Sequence, residues 1–247
     1  MTDKNKSTYK GYQLPDLLKG KLIKRYKRFL ADIELDTGQI VTAHCPNSGS
    51  MRGCATPGSQ VYLSSSTNPK RKLKYTWELI KTANTMIGIN TQIPNKLVKQ
   101  AIENNLISEL SGYDRIKPEI KTSDHTRLDL VLEKSSGEKC YVEIKNCTLV
   151  EDGIAMFPDA VTTRGQKHLD ELRYLVSLGH RGVIFYLIQR TDAKIFQPAN
   201  MIDPVYADKF NKALKNGVEI IIRDTIIDTK TISIGGQIKW QLPTAEK

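Results

Sequence analysis

A mixed α/β chain in two parts, a small β-barrel followed by a larger sheet-and-helix domain, is the fold class this sequence predicts. Up to about residue 93, short β-type runs recur between turn signals. Beyond that point, apolar runs of strand length alternate with helical periodicity. Charge divides at the same place: residues 1–93 hold 15 Lys and Arg against 6 Asp and Glu, while residues 94–247 hold 22 against 21. A basic first part suits either a polyanion such as nucleic acid or a solvated surface kept for solubility, and the near-neutral second part does something else.

In the first part the strand-like runs are 21–35, 39–44, 60–65, 73–82 and 86–93. Asp36-Thr37-Gly38, Pro46-Asn47-Ser48-Gly49, Pro57-Gly58 and Asn68-Pro69 punctuate them. About five short strands in this space fit a Greek-key barrel of the oligonucleotide-binding (OB) type, and an SH3-like barrel fits nearly as well. The seam is Ile93-Pro94-Asn95, which gives domains at 1–93 and 94–247. After it, Leu97, Val98, Ala101, Ile102 and Leu106 keep one helix face apolar. Strands at 127–133 and 139–147, a helix at 162–177, a strand at 182–188, a helix at 205–216 and a strand at 218–223 follow. Gly179 stops the first of these two helices, and the runs 183–188 and 218–222 read as strands covered on both faces. The stretch 232–242 adds a strand or hairpin without a clear place.

Composition excludes several classes. With 39% hydrophobic and 26% charged residues the chain matches an ordinary globular protein, and it lacks the ~20 consecutive apolar residues of a membrane span. The polar start MTDKNKSTYKGYQ has no signal-peptide core, so a cytoplasmic protein is expected. Cys45, Cys54, Cys140 and Cys147 lack C-x-x-C and zinc-knuckle spacing and read as reduced thiols. G-x-x-x-x-G-K-[ST], G-x-G-x-x-G and G-x-S-x-G are absent, which removes nucleotide hydrolysis and serine esterases. His44 and Cys45 are adjacent on a strand and face opposite sides, so they form no dyad.

One constellation carries chemistry. If 127–133 and 139–147 form a hairpin centred on Ser136, Glu133 faces Lys139, Val131 faces Tyr141 and Asp129 faces Glu143. Opposed Cβ atoms lie ~4.5–5.5 Å apart, close enough for two carboxylates to share a cation. Lys145 shares the Glu143 face by the strand period of two, and Leu128, Leu130 and Leu132 should back the hairpin from the other face. Two such acids repel unless one is protonated or a cation lies between them. Oxygen ligands choose Mg²⁺ or Mn²⁺, and the reaction implied is phosphodiester hydrolysis with Asp129 and Glu143 as metal ligands and Lys145 beside them. A one-residue slip would separate the acids. Glu119 stands as a third-acid candidate, with Arg164 and Lys167 in the first turns of the 162–177 helix as phosphate contacts. His168 shares a face with Leu172 and is assigned to the core.

In the first part, Lys24, Arg25, Tyr26, Lys27 and Arg28 interleave cations with a ring; Arg52, Lys70, Arg71, Lys72 and Lys74 add a second basic set. Cations along phosphates with rings for stacking are how OB domains hold nucleic acid. Nucleic acid is the partner expected, no fingerprint for base-specific readout appears, and nothing points to carbohydrate or membrane binding.

RFLADIEL (28–35), AHCPNSGSM (43–51), NPKRKLKYTWELI (68–80), TQIPNKLV (91–98), TRLDLVL (126–132), YVEIKNCTL (141–149) and MFPDAVTTRGQKHLDEL (156–172) together resemble the sugar fermentation stimulation protein A family of bacteria and archaea. The resemblance runs from about residue 18 to about residue 223. It implies an OB barrel ahead of a restriction-endonuclease-like, PD-(D/E)xK domain, with Asp129, Glu143 and Lys145 at the motif positions. The motif's proline is replaced, since Leu128 precedes Asp129. It further implies DNA binding without sequence preference and a part in regulating sugar use, notably maltose genes. Three functional readings stand beside one another: a metal-dependent nuclease, a non-catalytic DNA-binding regulator, and a nucleoid-type or RNA-binding accessory protein.

Overall fold

The computed structural model describes residues 9–82, 85–123 and 126–243. The first strand, β1 (Tyr12–Gln13), crosses to the second part and pairs with a strand near the other end of the chain. The barrel then follows as β2 (Leu17–Tyr26), β3 (Leu30–Leu35), β4 (Ile40–His44), β5 (Gln60–Ser65) and β6 (Tyr75–Lys81), with β7 (Met86–Gly88) laid on β6. The strand order β4-β3-β2-β5-β6 closes through a parallel pairing of β4 with β6, which removes the free edges. Alternate residues point inward, so Leu22, Ala31, Ile33, Val41, Ala43, Val61, Leu63 and Trp77 fill the interior.

The run expected over 21–35 is two strands. A tight turn divides it at Lys27 and Arg28, both in the left-handed region with φ of 46° and 65°. Neither residue is one of the glycines or asparagines that mark such turns. The last expected run also breaks: β7 ends at Gly88, and Ile93 already opens a helix.

That helix, α1 (Ile93–Glu103), has Pro94 in its first turn and buries Leu97, Val98, Ala101 and Ile102. After a 3₁₀ turn the chain makes β8 (Arg115–Lys121), β9 (Arg127–Glu133), β10 (Lys139–Cys147), β11 (Leu149–Glu151) and β12 (Ile154–Phe157), then α2 (Thr163–Ser177) and β13 (Arg181–Ile188). It ends with β14 (Ile195–Pro198), α3 (Pro204–Lys215), β15 (Glu219–Ile227), β16 (Thr231–Gln237) and β17 (Lys239–Trp240). A seven-stranded sheet of order β1-β16-β15-β13-β10-β9-β8 forms the centre, with β10, β13 and β15 parallel. One face packs on α1, the other on α2 and α3, which explains the almost wholly buried β13. The tail supplies β16 to this sheet. β17 joins a small second sheet of order β11-β12-β14-β17, whose short strands left no periodic signal in the sequence.

The N-termini of the two outer helices are tied by one residue. Thr162 caps α2 by accepting from the Gly165 N–H, and Asp203 caps α3 by accepting from the Tyr206 N–H. Asp203 also accepts from the Thr162 N–H (2.9 Å) and the Gln166 amide (3.0 Å). The barrel docks on the sheet domain through polar contacts. The Asp159 carboxylate accepts from the Ser50 hydroxyl and the Met51 N–H (3.2 Å each). The Gly88 N–H donates to the Gln189 carbonyl (2.9 Å). Among the described residues no helix is long and apolar enough to cross a membrane.

Candidate functional site

The hairpin of β9 and β10 has the expected register: Glu133 pairs with Lys139, Val131 with Tyr141, and Leu130 with Val142. There the ladder stops. The next backbone donor on β10, the Ile144 N–H, goes to the Asp129 carboxylate (2.8 Å). Asp129 therefore lies in the gap between the two strands. Its other oxygen accepts from the Asn95 amide of α1 (2.7 Å).

The backing leucines do not share one face. Leu130 and Leu132 enter the core under α1, whereas Leu128 enters the core under α2 and α3. The pleat changes phase at Asp129, across from Glu119 of β8, whose φ is 52°. The third-acid candidate, Glu119, has a side chain that is 73% exposed and pairs with Arg127 (3.2 Å).

Glu143 and Lys145 lie together on the face toward α2, with side chains 3% and 10% exposed. Lys145 Nζ donates to Glu143 Oε1 (2.6 Å). His168, from the second turn of α2, brings Nδ1 to the same oxygen. The Arg164 Nε–H donates to His168 Nε2 (3.4 Å), which leaves the ring proton on Nδ1 to be donated to Glu143. His168 is buried as expected, but against the acid rather than in an apolar core. Glu143 Oε2 is buried with no partner.

The electrostatics set the two acids apart. Burial pushes the Glu143 carboxyl up, but Lys145 and His168 outweigh it and hold it below the usual range. Burial and then the Glu143 charge push Asp129 up to about 6, against the pull of the Ile144 N–H, Lys145 and Asn95. A buried carboxyl with an orphaned oxygen and a half-buried one within its field are the kind of oxygen donors a hard cation takes. Among the described residues no group of three or more His, Cys, Asp and Glu surrounds one point. A cation here would rest on Asp129 and Glu143, the one or two carboxylates that Mg²⁺ commonly uses with water and phosphate.

Beside this cluster a cleft of ≈ 270 Å³ is lined by Thr126, Arg127, Thr163, Arg164, Lys167 and His168. Arg164 and Lys167 are thus placed at its wall. On the barrel the basic residues divide by environment. Arg25 is committed to the fold, its guanidinium donating to the carbonyls of Asn47, Gly49 and Ser50 (2.9–3.3 Å). Lys24 reaches Asp32 (3.7 Å) and lies over the Tyr26 ring, whose hydroxyl donates to the same acid. Arg52 pairs with Glu151 (2.9 Å), Arg71 donates to Thr76 (2.6 Å), and Lys74 lies over Tyr75. Lys27, Arg28, Lys70 and Lys72 are exposed and in no ion pair among the described residues.

The residues that sequence reasoning missed are Asn95 and the acid contact of His168. A polar residue on the first turn of an otherwise apolar helix was the available signal for Asn95. For His168 it was the Arg164 four positions before it, on the same helix face.

A family model described as the sugar fermentation stimulation protein RE domain matches residues 92–231, and one described as the SfsA N-terminal OB domain matches residues 23–89. The latter decides for OB over the SH3-like alternative. A sugar fermentation stimulation protein homolog of Geotalea uraniireducens is 54% identical over 231 residues, covering 93% of this chain and all of that protein. A homolog from Shewanella frigidimarina is 50% identical over 230 residues, covering 92% of this chain and 98% of that one. The structure of Pyrococcus furiosus SfsA in complex with Ca²⁺ superimposes with a TM-score of 0.85 at 27% identity, over 94% of this chain and 99% of that one.

Proposed function

Given a chain that belongs to the sugar fermentation stimulation protein family, we propose that it binds DNA without sequence preference and hydrolyses phosphodiesters at a divalent-metal site on Asp129 and Glu143. The division of labour follows the chain, with the barrel of 1–93 gripping DNA and the domain of 94–247 doing the chemistry. One observation carries the reading: Glu143 Oε2 is buried, unpartnered and within the field of a second, half-buried carboxyl. An unsatisfied buried carboxylate oxygen is costly unless something occupies it. The Ca²⁺ in the related Pyrococcus structure supports a divalent ion, and Mg²⁺ or Mn²⁺ is our choice for the working metal.

When bound, such an ion polarises the scissile phosphate and balances charge on the leaving oxygen. The protein does the rest. Asn95 and the Ile144 N–H fix the Asp129 carboxylate, and Lys145 with His168 fixes that of Glu143 through one oxygen, leaving the other free. Lys145, held at that oxygen, orients the attacking water and places positive charge beside the phosphorus. Arg164 and Lys167 hold neighbouring phosphates. Any regulation of sugar use, maltose genes included, is exerted through this DNA contact.

Plasmid cleavage with Mg²⁺ or Mn²⁺ tests the reading, wild type beside Asp129→Ala, Glu143→Ala and Lys145→Met. We expect each variant to lose cleavage by about a hundredfold or more while gel shifts show DNA still bound, with affinity falling steeply as salt rises. Equal cleavage by wild type and variants defeats the assignment. Binding with no cleavage under any metal selects the non-catalytic regulator.

A further inference from the structure

A second cleft, of ≈ 360 Å³, opens where the barrel meets the sheet domain. Its floor includes Asn146, the residue after Lys145. One wall is Arg28 on the strained β2–β3 turn with Ser48 and Gly49, and the facing wall runs from Met156 to Thr162. Thr162 caps the helix that brings His168 to Glu143. The cleft thus shares strand β10 and the cap of α2 with the proposed metal site.

Its chemistry differs from that of the smaller cleft beside α2. There, Arg127, Arg164 and Lys167 gather with no acid in the lining, which suits a phosphate. Here one cation, Arg28, stands against one anion, Asp159, and the apolar faces of Met156, Phe157 and Val161 make up much of the facing wall. Val161 is 68% exposed, an apolar side chain left in water at the rim. A flat, neutral, hydrogen-bonding ring fits this lining better than a charged group.

Two polar side chains of the lining have an unspent atom. The Gln189 amide donates to Asn146 Oδ1 (2.7 Å), so the Asn146 NH₂ is left to donate elsewhere. Asp159 spends Oδ2 on Ser50 and Met51, so Oδ1 is left to accept. The lining thus keeps one side-chain donor and one acceptor unspent, the kinds of group that the edge of a nucleobase takes. Gly49 allows this arrangement, because a Cβ there would meet Asp159 Oδ2 at 2.4 Å.

We infer that this interdomain cleft receives one unpaired nucleobase of the DNA, next to the phosphate at the metal site. The inference rests on the DNA-binding reading above. Bases in an intact duplex are stacked and paired, so only a single strand, a frayed end or a bulged nucleotide can supply one without the energy of opening the helix. The protein then selects DNA by unpaired nucleotides rather than by sequence.

Fluorescence anisotropy in Ca²⁺ tests this, with a fully paired 24-mer duplex and the same duplex carrying one bulged nucleotide as probes. Wild type should bind the bulged probe about tenfold more tightly, the order of one base–side-chain stacking interaction. Val161→Trp fills the mouth. It should bring the two affinities within about twofold of one another while leaving the paired duplex unchanged. Equal binding of both probes by wild type, or a preference that survives Val161→Trp, overturns the assignment. If the paired duplex is bound and is cut in Mg²⁺ but shows no preference, only the cleft assignment falls. If neither probe is bound, the DNA reading falls with it.

Discussion

Lys24 of the barrel meets Asp32 at 3.7 Å with 62% of its side chain in solvent, whereas Lys145 of the sheet domain meets Glu143 at 2.6 Å with 10% exposed. The barrel surrounds an apolar interior with lysines and arginines that water screens and that can follow a mobile polyanion. The sheet domain places a carboxylate, an ammonium and an imidazole out of water, where their desolvation cost exceeds what most ion pairs return. A surface charge needs no special reason to be kept. A buried cluster with one oxygen unmatched does, and a cation that completes it is the simplest one.

The contrast can be broken most directly by removing one lysine from each place. Lys145→Ala leaves Glu143 buried without its cation and should lower stability by about 3 kcal/mol in urea unfolding at pH 7. Lys24→Ala should stay within about 1 kcal/mol. Similar losses would mean that the two pairs are not different in kind. A smaller effect is expected on binding. Changing Lys70 and Lys72 together to alanine should weaken duplex affinity about tenfold and reduce the slope of log affinity against log salt by about 2. The same titration on Glu143→Ala should give the wild-type slope, and a reduced one there would place DNA contact at the buried cluster instead.

The smallest effect concerns pH. Asp129 keeps its proton in the folded protein up to about 6, against 3.8 for an ordinary aspartate. Without a cation, the unfolded chain therefore gives up this proton first as pH rises. The contribution of Asp129 to stability falls between about pH 4 and 6 and remains unfavourable above that window. Ca²⁺ should consequently raise the melting temperature by several degrees at pH 7.5 and by clearly less at pH 5.5. An equal rise at both values would remove Asp129 from the site.

The hairpin register was legible because its turn, Ser135-Ser136-Gly137, is short and its leucines alternate, and because pairing is fixed once the turn is. The point where pairing ends was not. A side chain replacing a backbone acceptor leaves no mark on periodicity, so neither the gap at Asp129 nor the separate burial of Leu128 could be read in advance. The barrel was visible through its turns and its period of two, except at Lys27-Arg28, where left-handed backbone is imposed by closure rather than encouraged by residue type. Arg25 shows the limit of reading charge along a strand: tertiary contact turned it inward onto the carbonyls of the 47–50 loop. His168 was placed correctly and understood wrongly, because helical periodicity reports which face is buried and not what it is buried against.

The bond from the Ile144 amide gives Asp129 a second tenure. Were the acid lost, a backbone donor inside the sheet would be stranded, so architecture alone is enough to keep an aspartate at 129 in a descendant that had ceased to cut anything. No scaffold duty binds the bare oxygen of Glu143. Its other oxygen holds Lys145 and His168, so on the proposed reading a related chain that cuts nothing would change these three together.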